Sequence, residues 1–166
     1  MAQIVIKTII AKNKTEAVIN KVFTVCQNEP NLSPRSKKEL ENAYNKNNLL
    51  IAIAESKIVG WLLKIPYNQK FQELAAGYVI KSYRSKGVFK HLLYEAFKSA
   101  PMSTIVTFNY NLSNYLINKI GFKKSSLWET IKLSRGKFLL NRLNLQRITA
   151  IRKHYQKSKP MYTIHR

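Results

Sequence analysis

The 166-residue chain has few carboxylates, a single cysteine and no long apolar segment. It contains no aspartate, and its 8 acidic residues oppose 29 lysines and arginines, which gives a formal net charge of +21. A lone Cys26 excludes an intrachain disulfide and a cluster of thiolate metal ligands, and we expect it to be a buried core thiol. No apolar run has the roughly 18 residues of a membrane span, and no secretory signal is visible, so we expect a cytoplasmic protein.

The excess of positive charge has two explanations. A strongly positive field attracts polyanions such as nucleic acid, acidic membrane surfaces or phosphorylated cofactors. Lys, Asn and Ile are all abundant, however, as an AT-rich genome would produce without selection on charge. The charge therefore suggests acidic partners and identifies none of them.

The chain length predicts a single domain, residues 1–166, because one domain typically has about 150 residues. Apolar periodicity and turn residues predict an alternation of strands and helices. The predicted strands are Ile4–Ile10, Leu49–Ala54, Ile58–Leu63, Glu73–Ile80, Thr104–Phe108, Phe122–Leu133 and Met161–His165. The predicted fold class is α+β merging into α/β, with one mixed, mostly antiparallel sheet flanked by helices.

Five helices are predicted between these strands. The first starts at a capping box of Asn13 and Glu16 and ends near Cys26, and the second starts at Ser33-Pro34. A loop at Pro66–Lys70 precedes the strand that leads to the third helix. The last three helices begin at Gly87, at Leu112 (ending at Ile120) and at Lys137 (ending at Lys157).

The last of these helices is predicted to be amphipathic and additional to the core of the fold. Its inward residues would be Leu140, Leu143, Ile148, Ile151 and Tyr155. Its outward residues would be Arg142, Arg147, Arg152 and Lys153. This basic face would be open to acidic partners.

One segment, Val79 to Leu93 (VIKSYRSKGVFKHLL), joins a strand end to a basic turn and a helix start. The first N–H groups of a helix have no intrahelical acceptor, and the helix dipole is positive there. Gly87 would let an anion approach these groups, and Arg84 and Lys86 would add charge. The pattern predicts a pyrophosphate site, although many solvated turns have a similar composition.

The segment resembles the acyl-CoA site of the GNAT superfamily, an Arg/Gln-x-x-Gly-x-Gly/Ala motif that follows a strand. Arg84 and Gly87 stand at its first and fourth positions, and Val79 stands at the strand end. Three more segments match at the expected distances: Ile58-Val59-Gly60-Trp61, Asn111-Leu112-Ser113 and Lys119-Ile120-Gly121-Phe122. Together the matches cover residues 49–124. The resemblance implies a GNAT-like N-acyltransferase domain with acetyl-CoA as cosubstrate and an amine as acceptor.

The resemblance also implies roles for individual residues. Backbone N–H groups of Gly77 or Tyr78 would stabilise the oxyanion, and Glu73 would be the general base, although a solvated carboxylate is an equally good interpretation of Glu73. The implied cofactor-binding residues are Val79, Arg84, Ser85, Lys86, Gly87, Val88, Phe89 and Asn111. No metal site is expected.

Two positions depart from the family pattern. Phe89 stands at the sixth motif position, where the family prefers a small residue, so its amide is expected to approach the phosphates less closely. Ile117 stands where many members have a tyrosine that protonates the leaving thiolate. Solvent would then supply this proton, or the chain would not be an acetylating enzyme.

Three functions remain open from the sequence. The first is acetylation of a primary amine on a small molecule or a protein. The second is acylation of a nucleic-acid-linked amine, such as that of aminoacyl-tRNA, with the basic helix as docking surface. The third is a non-catalytic domain that binds CoA or nothing.

Overall fold

The structure is a computed structural model that describes residues 4–7, 15–30, 32–142 and 159–166. These residues form seven strands and six α-helices. In chain order they are β1 (Ile4–Lys7), α1 (Thr15–Asn28), α2 (Lys37–Asn45), β2 (Leu49–Ala54), β3 (Lys57–Asn68), β4 (Phe71–Val79), α3 (Val88–Phe97), β5 (Met102–Thr107), α4 (Tyr110–Tyr115), β6 (Lys123–Ser125), α5 (Leu127–Leu133), α6 (Lys137–Leu140) and β7 (Met161–His165). A 3-10 turn (Lys81–Tyr83) precedes α3, and a π-helical turn (Leu116–Ile120) follows α4.

The chain divides into two compact units. The first unit comprises residues 1–64 and 75–99, and the second unit comprises residues 65–74 and 100–166. Strands β3 and β4 each contribute residues to both units. This division does not test the prediction of a single domain over residues 1–166, which stays a prediction.

The first unit is an antiparallel arrangement of strands with three helices. β1 pairs with β2 and β2 pairs with β3, both antiparallel. The β2–β3 turn has positive φ at both Glu55 (50°) and Ser56 (61°), the combination that matches the twist of a two-residue hairpin. α1 buries Val18, Val22 and Cys26 on one face, at the spacing of a helix. The buried thiol at Cys26 is therefore confirmed.

The second unit contains the parallel pair of the sheet. The first residues of β4 run parallel to β5, with Glu73 opposite Thr104. β5 is antiparallel to β7, and β7 is antiparallel to β6. Tyr67, Phe71 and Phe138 form a buried cluster in this unit. The predicted α+β class with a mixed, mostly antiparallel sheet and flanking helices is confirmed.

The predicted start of the second helix is wrong. The helix begins at Lys37, and Ser36 rather than Ser33 caps it. The Ser36 hydroxyl accepts from the Glu39 N–H (3.2 Å), and the Glu39 carboxylate accepts from the Ser36 N–H (3.1 Å). This reciprocal capping satisfies two N–H groups, whereas a start at Ser33 has no glutamate or glutamine three residues later to complete a capping box.

Two strand boundaries also differ from the prediction. The predicted loop at Pro66–Lys70 is mostly strand, because β3 continues to Asn68 and the turn contains only two residues. The Asn68 side chain supports this turn by accepting from the Lys70 N–H (2.9 Å). The predicted strand Phe122–Leu133 is wrong in its second half: β6 ends at Ser125, and Leu127–Leu133 form the helix α5, which the Ser126 hydroxyl caps by accepting from the Glu129 N–H (3.1 Å).

The predicted C-terminal amphipathic helix is only partly testable. α6 covers Lys137–Leu140, and residues 143–157 lie outside the described residues, as does Asn13 of the first predicted capping box. Within the described part the orientation is wrong at two positions, because Leu140 is 68% exposed and Arg142 turns inward. Phe138 is the buried residue of this helix.

Candidate functional site

A turn with two left-handed residues connects β4 to α3. The chain passes through the 3-10 turn Lys81–Tyr83, and φ is then positive at Ser85 (62°) and at Gly87 (78°). Gly87 is the N-cap of α3 and contributes no side-chain hydrogen bond to the helix. The first N–H groups of this ten-residue helix are therefore not capped by a side chain at Gly87.

Gly87 meets two requirements of an anion site. Its φ of 78° is a conformation that glycine adopts without strain. Apart from the neighbouring residues of the chain and the backbone of α3, a Cβ at this position would have only the His91 ring within 4 Å, at 3.8 Å, so packing leaves room there. The dipole of α3 places partial positive charge at this end of the helix, so the turn suits a phosphate group.

The cations of this turn have different surroundings. Lys86 is exposed and lies 4.8 Å from the centre of the Tyr83 ring. Arg84 instead folds back, and its Nε donates to the Val79 carbonyl (3.0 Å) while its guanidinium lies 5.7 Å from the Tyr78 ring. Arg84 therefore shapes the exit of β4 while remaining exposed, and Lys86 also presents its charge at this turn.

The end of β4 is irregular at the residues expected to hold the oxyanion. Ala76 has a positive φ of 49° inside the strand, directly before Gly77. A Cβ on Gly77 would lie 2.8 Å from the Phe89 ring and 3.0 Å from Leu62, so the first residues of α3 pack closely on this glycine. Tyr78 stacks on the buried Trp61, with ring centroids 4.9 Å apart.

Phe89 thus has a structural role in the first unit. Its ring lies against Gly77, whose lack of a side chain accommodates it. The bulky residue at the sixth motif position is compensated by packing on β4. How closely its amide would approach a phosphate remains a prediction.

Glu73 lies in the second unit, on β4, and is almost fully buried. Arg142 binds it in a bidentate ion pair, with Nη2–Oε1 at 2.7 Å and Nη1–Oε2 at 3.1 Å. The Tyr67 hydroxyl donates to Oε2 (2.5 Å). The guanidinium of Arg142 also lies 3.5 Å from the centre of the Phe138 ring. Glu73 is therefore a buried, paired carboxylate and not a solvated one.

The contacts among Glu73, Arg142 and Tyr67 shift the pKa values of Tyr67 and Arg142. Burial and the adjacent Glu73 carboxylate raise the pKa of Tyr67, so its hydroxyl stays protonated. Burial alone would lower the pKa of Arg142, but Glu73 outweighs that effect and the pKa is raised. Among the members of this cluster the sequence indicated only Glu73, because neither spacing nor periodicity marked Tyr67 or Arg142 as its partners.

The remaining predicted site residue, Asn111, is exposed on the first turn of α4 in the second unit. The residue that caps α4 is Asn109, whose side chain accepts from the Leu112 N–H (3.0 Å). Ile117 lies in the π-helical turn after α4, which ends at Gly121 with φ of 95°. The first unit thus contains the predicted oxyanion donors and the predicted phosphate-binding turn before α3, while Glu73 and Asn111 belong to the second unit.

Two further kinds of feature do not occur among the described residues. No helix in the described ranges is long and apolar enough to cross a membrane. No group of three His, Cys or Glu side chains in the same ranges is arranged to hold a metal ion.

Comparison with known proteins identifies the fold. The sequence matches no protein-family model, and no curated protein matches it in sequence. Solved structures do match. A GNAT-family acetyltransferase from Staphylococcus aureus Mu50 has a TM-score of 0.66 at 16% identity, with 98% of each chain covered. A Mycobacterium tuberculosis protein in complex with CoA has a TM-score of 0.65 at 12% identity, covering 96% of this chain and 97% of that one.

A longer enzyme contains the same fold as one part. N-acetylglutamate synthase from Neisseria gonorrhoeae, complexed with coenzyme A and N-acetyl-glutamate, has a TM-score of 0.65 at 14% identity. The match covers 100% of this chain and 36% of the synthase. At these identities the similarity establishes the fold, and this chain has the GNAT fold.

Proposed function

We propose that this chain is an N-acetyltransferase that moves the acetyl group of acetyl-CoA to a primary amine of a small-molecule or protein acceptor. The observation that carries the proposal is the N-terminus of α3, which has no side-chain cap and has Gly87, with a φ of 78°, as its N-cap residue. In the GNAT fold this turn follows the strand that carries the proposed oxyanion donors. Two of the solved structures with this fold were determined with CoA, which supports the choice of ligand.

The first unit would bind the pyrophosphate of CoA mainly through its backbone. The residues assigned to this role are Val79, Arg84, Ser85, Lys86, Gly87, Val88 and Phe89. N–H groups in the first turn of α3 would donate to phosphate oxygens, and Lys86 would supply charge. Arg84 would act indirectly by holding the Val79 carbonyl (3.0 Å). Asn111 is retained as a cofactor-binding residue on the strength of the family resemblance alone.

The proposed reaction is a direct transfer within a ternary complex. The neutral amine nitrogen attacks the thioester carbonyl carbon, a C–N bond forms and the C–S bond breaks. The amine loses one proton to a base, and the departing thiolate gains one from solvent, since Ile117 offers no acidic group. The irregular strand at Ala76 and Gly77 supports backbone N–H donation to the oxyanion, because such irregularities free N–H groups from the sheet.

Glu73 is our candidate for the base, and its hydrogen bonds determine what must change before it can accept a proton. Both carboxylate oxygens already accept hydrogen bonds from Arg142, and one also accepts from Tyr67. To accept a proton from the amine, directly or through water, the carboxylate would have to exchange one of these donors. Glu73 would also anchor the segment after α6. A substitution of its partner Arg142 separates this anchoring role from base catalysis.

Thiol release from acetyl-CoA over a panel of amines tests the proposal. A base contributes about a hundred- to ten-thousand-fold, so Glu73→Gln should lower turnover at neutral pH by roughly that factor, with partial recovery at high pH. CoA affinity should change little. Arg142→Lys serves as the control for a change in the ion pair, because it keeps both the Glu73 carboxylate and a positive charge beside it. Tight CoA binding without thiol release on any amine would instead indicate a non-catalytic domain.

Acylation of a nucleic-acid-linked amine is the second candidate, and the charge of the second unit favours it. Residues 65–74 and 100–166 contain fourteen lysines and arginines and only two glutamates. Both glutamates are in ion pairs with arginine. Acetylation that requires an RNA-linked acceptor and declines steeply with salt would select this candidate.

A further inference from the structure

An exposed tryptophan lies on the outer face of α5. Trp128 is 77% exposed, although tryptophan is highly buried on average. The inner face of the same helix packs through Leu127 and Ile131 against the cluster of Tyr67, Phe71 and Phe138. Trp128 therefore contributes little to the core that holds α5.

Two exposed cations follow Trp128 closely in the chain, and the carboxylate of the same helix is already paired. Lys132 follows Trp128 by one helical turn, so the two side chains share a face. Arg135 lies two residues after the end of the helix at Leu133, with its backbone N–H donating to the Lys132 carbonyl (3.1 Å). Both cations are exposed. Glu129, the acid of this helix, forms an ion pair with Arg166, so it does not neutralise them.

We propose that Trp128, Lys132 and Arg135 form a docking surface for a single-stranded nucleic acid. A base stacks on an exposed aromatic ring, and neighbouring lysine and arginine side chains contact the phosphates on either side of it. Unstacked bases are typical of RNA loops and ends, whereas a duplex hides its base faces. The net positive charge of the second unit supplies long-range attraction for such a strand. This surface does not depend on the proposed acyl transfer.

Two kinds of variant separate stacking from charge. We expect Trp128→Ala to weaken binding of a short unstructured RNA, such as oligouridylate, by about tenfold or more, with little change in salt dependence. Lys132→Gln with Arg135→Gln should instead reduce the slope of log affinity against log salt by about 0.7 for each phosphate that the variant no longer neutralises. Tyr110→Ala is the matched control, because Tyr110 is 68% exposed in the same unit.

The experiment uses the full chain and fluorescence anisotropy of labelled RNA, with intrinsic fluorescence as a second readout. The chain has two tryptophans, and Trp61 is fully buried, so quenching by RNA should come from Trp128 and disappear in Trp128→Ala. Unchanged RNA binding by Trp128→Ala would overturn the proposal. So would the absence of binding at low salt, equal affinity for duplex RNA, or preferential binding to phosphatidylserine vesicles.

Discussion

The two units differ in how each forms its candidate site. In the first unit the proposed phosphate-binding turn between β4 and α3 consists mainly of backbone, and its key residue, Gly87, has no side chain. In the second unit the buried site consists of side chains, with Glu73 held by Arg142 and Tyr67. Charge differs as well. The first unit has six glutamates against fifteen lysines and arginines, and the second unit has two glutamates against fourteen lysines and arginines. A backbone site tolerates a variable sequence around one glycine, whereas a side-chain site depends on each partner.

The largest expected effect concerns the first unit. Gly87→Asp should abolish CoA binding, because it places a carboxylate where a phosphate would meet the N–H groups of α3. Calorimetric titration with CoA measures the loss directly. The substitution also strains a backbone with φ of 78°, so the result needs a control with the same strain.

Gly136→Asp is that control, since Gly136 also has a φ of 78° and no atom lies within 4 Å of the place where its Cβ would be. It lies in the second unit and should leave CoA binding unchanged. If both substitutions abolish binding, strain and not the phosphate turn explains the loss. If neither does, the pyrophosphate binds elsewhere.

The buried ion pair of the second unit should give the next largest effect. Arg142→Met leaves the Glu73 charge buried without its arginine, which typically costs about 3–5 kcal/mol of unfolding free energy. The exposed pair of Lys98 and Glu95 in the first unit provides the comparison, and Lys98→Met should cost about 1 kcal/mol or less. Urea unfolding measures both.

A double variant sharpens this test. Adding Glu73→Gln to Arg142→Met removes the unpaired charge and should recover much of the lost stability. Equal costs for Arg142→Met and Lys98→Met would show that the ion pair does not anchor the second unit.

The sequence indicated the backbone geometry at Gly87 better than the surroundings of Glu73, for a physical reason. Positive φ at a helix start restricts the residue type strongly, so Gly87 in a basic turn was visible in the chain itself. Arg142 and Glu73 are 69 residues apart, and no local pattern links them. The same limit explains why Arg142 was predicted to face outward.

Apart from Leu127–Leu133, which was predicted as strand and forms the helix α5, element types were predicted better than element boundaries. The β2–β3 hairpin and the helix after Gly87 follow from apolar spacing alone. The errors arose where a polar side chain decides a boundary: Ser36 starts α2, Ser126 starts α5, and Asn68 forms a turn after a longer β3. Several serines and asparagines compete for each such position, and only the tertiary context selects one.

A smaller effect is expected from pH in the first unit. Burial raises the pKa of Cys26 from 9.0 to about 11, partly offset by Arg35. Because the folded pKa is the higher one, this thiol's contribution to stability is complete below pH 9 and is lost as pH rises towards 11. At pH 10 the loss should be about 1 kcal/mol.

Comparison of wild type with Cys26→Ala isolates this contribution from the other groups that titrate in alkali. Unfolding free energies measured from pH 8 to 11 should decline more steeply for the wild type. Parallel curves would mean that the thiol is not protected by the fold.

The central claim is that the first unit contains an acyl-CoA site, and a melting scan of the wild-type chain with and without CoA tests it most directly. A ligand that binds only the native state at a hundred times its dissociation constant adds about 2.7 kcal/mol of stability. For a chain of this size we expect Tm to rise by roughly 5–10 °C. An unchanged Tm at millimolar CoA would contradict the claim.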